Sequence, residues 1–190
     1  MSSEFPGFST PAAGFEVPLE MLAACHLRIE QQCTTLQRLV QHLLTHGSDE
    51  QAQTAAGSLK RYFDISALDH HADEEVDLFP ALLESMAGSD AVCLRQMIAA
   101  LSAEHRELET RWQRLRGVLQ QVANGMPAAL DTGDVQDFVG LYQTHIAREQ
   151  AELLPMAQRL LGDYELDRVG RAMRARRKML GDPPANPPAA

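Results

Sequence analysis

Two short stretches of this chain carry side chains that could do chemistry. His70 and Glu74 stand four residues apart, and Leu78-Phe79-Pro80 follows, with the proline six residues beyond the glutamate. His145 and Glu149 repeat the pattern, with Leu153-Leu154-Pro155 at the same offset. On an α-helix, residues i and i+4 lie one above the other on a single face. Each stretch therefore sets an imidazole and a carboxylate on one wall of a helix, where a metal ion can bind both. His26 to Glu30 and His105 to Glu109 keep the same spacing, as do His71 to Glu75 and, across Gly47, His46 to Glu50, so six of the seven histidines have Glu at +4. With the glutamates of this chain placed at random, about 0.5 such pairs are expected. The excess points to a purpose.

The elements that must position these residues are long helices. The first is predicted from Pro18, a residue tolerated in a first helical turn, to Gly47. Leu22, Ile29, Leu36, Leu39, Val40 and Leu43 form its apolar stripe, and His26 lies on or beside it. His42 and His46 read as surface residues compensating the helix dipole. A second helix is expected from about Asp49 to Met86, with a kink at Pro80, whose ring crowds the Val76 carbonyl. The third is expected from an N-cap at Ser89 or Asp90 to Asn124-Gly125. Its seam of Leu94, Met97, Ile98, Leu101, Leu108, Trp112, Leu115 and Leu119 includes His105. The fourth is expected over about Thr132 to Leu161. Connections are short, which favours antiparallel neighbours in an all-α, up-down-up-down four-helix bundle over residues 18–162.

Around this bundle the sequence changes character. Residues 1–17 hold Pro6, Gly7, Pro11 and Gly14 with Phe5, Phe8 and Phe15, and read as an N-terminal arm lying on the bundle surface. A short basic helix is expected over 163–182, holding Arg168, Arg171, Arg174, Arg176, Arg177 and Lys178. Two readings of it stay open: a docking element for an acidic protein partner, or a solvated face covering the end of the bundle. Residues 183–190 are expected to be a disordered Pro-rich tail.

One imidazole from each main helix (His26, His70, His105, His145) plus Glu74 and Glu149 make a mixed nitrogen and oxygen set. Such a set suits iron, manganese or zinc better than calcium. Six inward donors exceed what one tetrahedral zinc uses, so two octahedral-type ions are the natural count. Glu74 and Glu149 are then the bridging pair. Ferritin-like bundles are excluded, because they use Glu-x-x-His and no histidine here has Glu three residues before it.

The net charge of −9 argues against nucleic acid as the main partner. No run approaches the roughly 18 apolar residues that a membrane helix needs. No basic segment leads into an apolar core at the N-terminus, so a secretory signal is not expected. Cys25, Cys33 and Cys93 read as reduced, buried residues of a cytoplasmic protein.

On His26, the His70-His71…Glu74-Glu75…Leu78-Phe79-Pro80 block, His105 and His145…Glu149…Leu153-Leu154-Pro155, the sequence resembles the hemerythrin family, in its bacterial HHE cation-binding branch. The resemblance covers roughly residues 19–162. It implies a four-helix bundle holding two iron ions, Fe2+ or Fe3+ with an oxo or hydroxo bridge, that bind O2, NO or peroxide. It matches His26, His70, His105 and His145 to the terminal imidazoles and Glu74 and Glu149 to the bridging carboxylates. Hemerythrin oxygen carriers have two His four apart on the third helix, whereas this chain has His105 and Glu109. Glu109 is then either a seventh metal ligand or a surface carboxylate. Register favours His70 and Glu74 over His71. Glu30 is either an acceptor behind His26 or a surface residue.

An anionic ligand at Glu109 favours the ferric state, so the expected role is sensing, scavenging or redox protection rather than bulk O2 transport. Any enzymatic activity would be di-iron redox chemistry on peroxide or NO. An alternative is iron storage, or iron donation to repair damaged iron centres. From another class, a metal-free bundle would use these His-Glu pairs as ordinary ion pairs of about 0.3–0.5 kcal/mol each. That reading requires the pairs to face solvent.

Overall fold

The computed structural model describes residues 17–86 and 91–179, and no strand occurs among them. The expected N-terminal arm, the Ser89 or Asp90 cap and the Pro-rich tail lie outside the described residues. Helix α1 spans Pro18–His46 and ends at Gly47, whose φ of 65° is the left-handed conformation that glycine adopts without strain. The Asp49 side chain accepts a hydrogen bond from the Ala52 N–H at 2.8 Å and caps α2 (residues 50–85). Helix α3 spans Ala91–Ala123. Asp131 caps α4 (residues 132–160) through the Asp134 N–H at 2.9 Å. Helix α5 spans Asp163–Met179. Each of the first three packs on the next, and α4 returns to α1, which closes the bundle.

Helices α2 and α4 are not uniform. Ahead of Pro80, where a kink is expected, α2 runs through a wide, π-helical turn over Asp73–Leu78. Proline has no N–H to give Val76, so the ladder slips by one residue: the Phe79 N–H bonds the carbonyl of Glu74, five residues back. Glu149–Leu153 repeats this before Pro155, with the Leu154 N–H bonding the Glu149 carbonyl. Both wide turns begin at or next to a glutamate of the repeated motif. A third, Tyr62–Ser66, precedes His70 without a proline to explain it.

The apolar core is in two parts. One gathers Ile29, Ala67, Leu108 and Tyr142 with their neighbours; the other gathers Cys25, Leu78, Leu101 and Leu153 with theirs. Along all four helices the break between the two parts falls at the histidines and glutamates of the motifs. A polar layer crosses the bundle there.

Helix α5 lies across α1 and the wide turn Asp73–Leu78. Arg177 reaches Asp73 Oδ2 at 2.5 Å, and Arg176 binds both Asp73 and Asp77, the latter at 2.8 Å. Arg168 pairs with Glu84 of α2 and Arg171 with Asp167. These four cations are thus engaged with acids of the same chain, in keeping with a face that covers the bundle.

Candidate metal centre

The six donors on which the two motifs converge are all inside the bundle. His26, Glu74 and Glu149 are 0% exposed and His70, His105 and His145 are 1% exposed. The reading of solvent-facing ion pairs is therefore excluded. Their ligating atoms fall into two groups of four, each within a span of 4.8 Å: His26, His70, Glu74 and Glu149, then His105, His145, Glu74 and Glu149. Both carboxylates belong to both groups.

The oxygens divide accordingly. Glu74 turns Oε1 to His70 Nε2 at 3.5 Å and His26 Nε2 at 3.9 Å, and Oε2 to His105 Nε2 at 3.3 Å. Glu149 turns Oε2 to His26 Nε2 at 3.1 Å and Oε1 to His145 Nε2 at 3.2 Å. Each carboxylate thus spans the gap between the two imidazole pairs, one oxygen on each side.

On one side of the layer the imidazoles are held by carboxylates behind them. His105 Nδ1 donates to Glu75 Oε1 at 2.7 Å, and Glu75 is in turn bound by Arg106. His145 Nδ1 donates to Glu104 Oε2 at 2.8 Å, and Arg148 Nη1 reaches Glu104 Oε1 at 2.5 Å. A carboxylate only accepts, so both Nδ1 atoms carry the proton and both Nε2 atoms turn lone pairs inward. Those two Nε2 atoms are 3.0 Å apart. Facing lone pairs at that distance need a cation or a proton between them.

The other side lacks such partners. Nine buried side-chain atoms among the described residues have no hydrogen-bond partner, all of them on His26, His70, His71, Glu74 and Glu149. Buried polar atoms are nearly always satisfied, and a cluster of orphans is what a cation would satisfy.

The protonation pattern carries the same strain. Burial disfavours charge on His26, yet Glu149 and Glu74 outweigh it and raise its pKa to about 9. Burial wins at His70 and lowers it to about 4. Glu74 is held well below the usual carboxylate range, because His70, His105 and His26 outweigh its desolvation. At Glu149 burial and the repulsion of Glu74 push upward, yet the imidazoles of His145 and His26 beside it outweigh them and lower it as well. Two ionised carboxylates held together in a dry interior require positive charge.

Glu109 is a correction. It is exposed and belongs to neither group of donors. Four residues carry a helix about 40° past one full turn. On α3 the buried Leu108 takes the inward position, and Glu109 turns out to solvent. Glu30 is also exposed, which leaves it as a surface residue.

Sequence reasoning missed the supporting acids. Glu75 and Glu104 each sit one residue from a motif side chain, and Glu75 serves the histidine of the facing helix, not His71 four residues before it. The adjacent Arg106 was the available signal, but intrahelical spacing does not report partners across the bundle. His71, 8% exposed, groups with His105 and His145.

Comparison with known proteins agrees with this geometry. The family described as the hemerythrin HHE cation binding domain matches residues 17–157. An uncharacterised protein of Haemophilus influenzae is 30% identical over 167 residues, covering 88% of this chain and 94% of its own.

Proposed function

The chain belongs to the hemerythrin HHE cation-binding family, and from that premise we propose that it is a non-haem di-iron protein that binds a small exogenous ligand such as O2, NO or peroxide. The observation that carries this reading is the splitting of both carboxylates. Glu74 and Glu149 each offer one oxygen to the His26–His70 side and the other to the His105–His145 side. In this reading His26, His70, His105 and His145 are terminal ligands and Glu74 and Glu149 bridge.

Two imidazoles and two carboxylate oxygens supply four donors per ion. Iron of octahedral habit then keeps positions for solvent and for one small ligand. When bound, the iron pair supplies one-electron redox chemistry and affinity for such molecules. The protein's own residues do the rest. Glu75 and Glu104 fix the imidazole tautomers, and two apolar clusters keep bulk water from the layer. With Glu109 turned to solvent, the coordination position that a second histidine of the third helix fills in hemerythrin oxygen carriers falls to solvent here, which supports sensing, scavenging or redox protection over bulk O2 transport. Donors this deeply buried also suit a retained cofactor better than iron that is handed on. No helix among the described residues is long and apolar enough to cross a membrane. Cys25 and Cys33 are buried free thiols, whereas Cys93, expected to be buried, is an exposed one; free thiols fit a reducing cytoplasm.

The test is metal analysis with visible spectroscopy, followed by anaerobic reduction and air. Two irons per chain with bridged-ferric charge-transfer bands are expected, and air should return the reduced protein to the ferric form. One iron or none would overturn the centre. A stable oxygenated form surviving repeated cycles would overturn the assignment against transport.

A further inference from the structure

We propose that His71 is a hydrogen-bonding residue for the small ligand held on the His105–His145 side of the centre, and that it is not itself a ligand of the ions. The inference rests on the di-iron reading above.

Three observations lead to it. The Nε2 of His71 is buried and has no hydrogen-bond partner. A nitrogen of His71 lies within 4.8 Å of a ring nitrogen of His105 and of one of His145, but that group includes neither Glu74 nor Glu149. Imidazole and carboxylate donors sit about 2.0–2.2 Å from an ion, so any two donors of one ion lie within about 4.4 Å of each other. His71 therefore stands next to the donor shell and outside it. Finally, the rings of His71 and His105 are stacked, with centroids 4.0 Å apart and planes 13° from parallel. Stacked rings cannot both aim a lone pair at one ion, since neighbouring donors in an octahedron diverge by about 90°. A ring stacked on a ligand instead runs beside it, where its polar edge meets whatever is bound next to that ligand.

The chemistry this selects is a small acceptor, anionic or oxygen-based, that receives the imidazole N–H. Tyr142 lies beside His71, with ring centroids 6.1 Å apart, and adds an aromatic face to its surroundings.

Azide is a suitable probe of the iron-loaded ferric protein, titrated through its charge-transfer band. In His71→Leu, two irons per chain should remain while the azide Kd weakens by about tenfold, the worth of one buried hydrogen bond. His71→Gln, which keeps a donor, should recover part of that loss. Thermal melting of both variants checks that the bundle is intact, and the glutamine variant carries the test if leucine packs badly. Loss of one iron in either variant would make His71 a ligand and overturn the proposal. So would an azide Kd unchanged in both. Wild-type protein with fewer than two irons would overturn the centre itself, an outcome read before any azide is added.

Discussion

In the proposed centre, Glu104 governs an ion that it does not touch. It accepts the His145 Nδ1 proton and is itself braced by Arg148. Partners of this kind typically carry 10–100-fold in metal affinity. Glu104→Ala should therefore weaken metal binding by about that factor, read by competition with a chromophoric chelator, while the helical circular dichroism stays unchanged. Protonation gives a second handle at this scale. Stripped of metal, the folded chain keeps a proton on His26 up to about pH 9, where the unfolded chain has already lost it above its ordinary 6.5. That stabilisation is full below pH 6.5 and is lost as pH rises through 9. His70 acts in the opposite direction. Its folded pKa of about 4 means that between pH 6.5 and 4 only the unfolded chain takes up the proton, so stability falls as pH drops. The melting temperature of chelator-treated protein should thus peak near pH 6.5. A flat profile from 6.5 to 9 would show His26 uncharged.

At the scale of elements, the two prolines matter more than their distance from the site suggests. Pro80 and Pro155 each stand six residues beyond a bridging-type glutamate, and each follows a wide turn that includes or starts at it. The missing proline N–H moves the ladder to a five-residue step, which turns the glutamate relative to the rest of its helix. Replacing both prolines with alanine restores the missing donor and should leave helix content equal or higher. Metal affinity should nevertheless fall by tenfold or more, as the two carboxylates lose their shared aim. Unaltered affinity in the double variant would separate the wide turns from the prolines. Helix α5 belongs to the same device, since Arg176 and Arg177 grip Asp73, the first residue of one wide turn and 0% exposed.

For the whole molecule, the polar layer divides the core of the described residues into two apolar clusters. Without a cation, two buried carboxylates repel across that layer, so metal binding and folding are coupled. One ion at a thousand times its Kd contributes about 4 kcal/mol, or roughly 10 °C in melting temperature for a chain of this size. Scanning calorimetry of loaded against chelated protein should show at least that rise. Equal melting points would mean that the layer is satisfied without metal.

The repeated His-x-x-x-Glu spacing and the apolar stripes already determined the helices, their order and the six inward donors. They could do so because a helix converts sequence distance directly into direction. Three things were decided only in three dimensions. Glu109 was ambiguous by spacing alone, and the burial of Leu108 beside it sent it to the surface. Glu75 and Glu104 found their histidines on other helices, and no periodicity within one helix encodes the rotation of its neighbour. His71 came to rest on His105 because the α2–α3 packing brought the two rings together. Local geometry is written in the chain; the meeting of side chains from separate helices depends on how those helices pack.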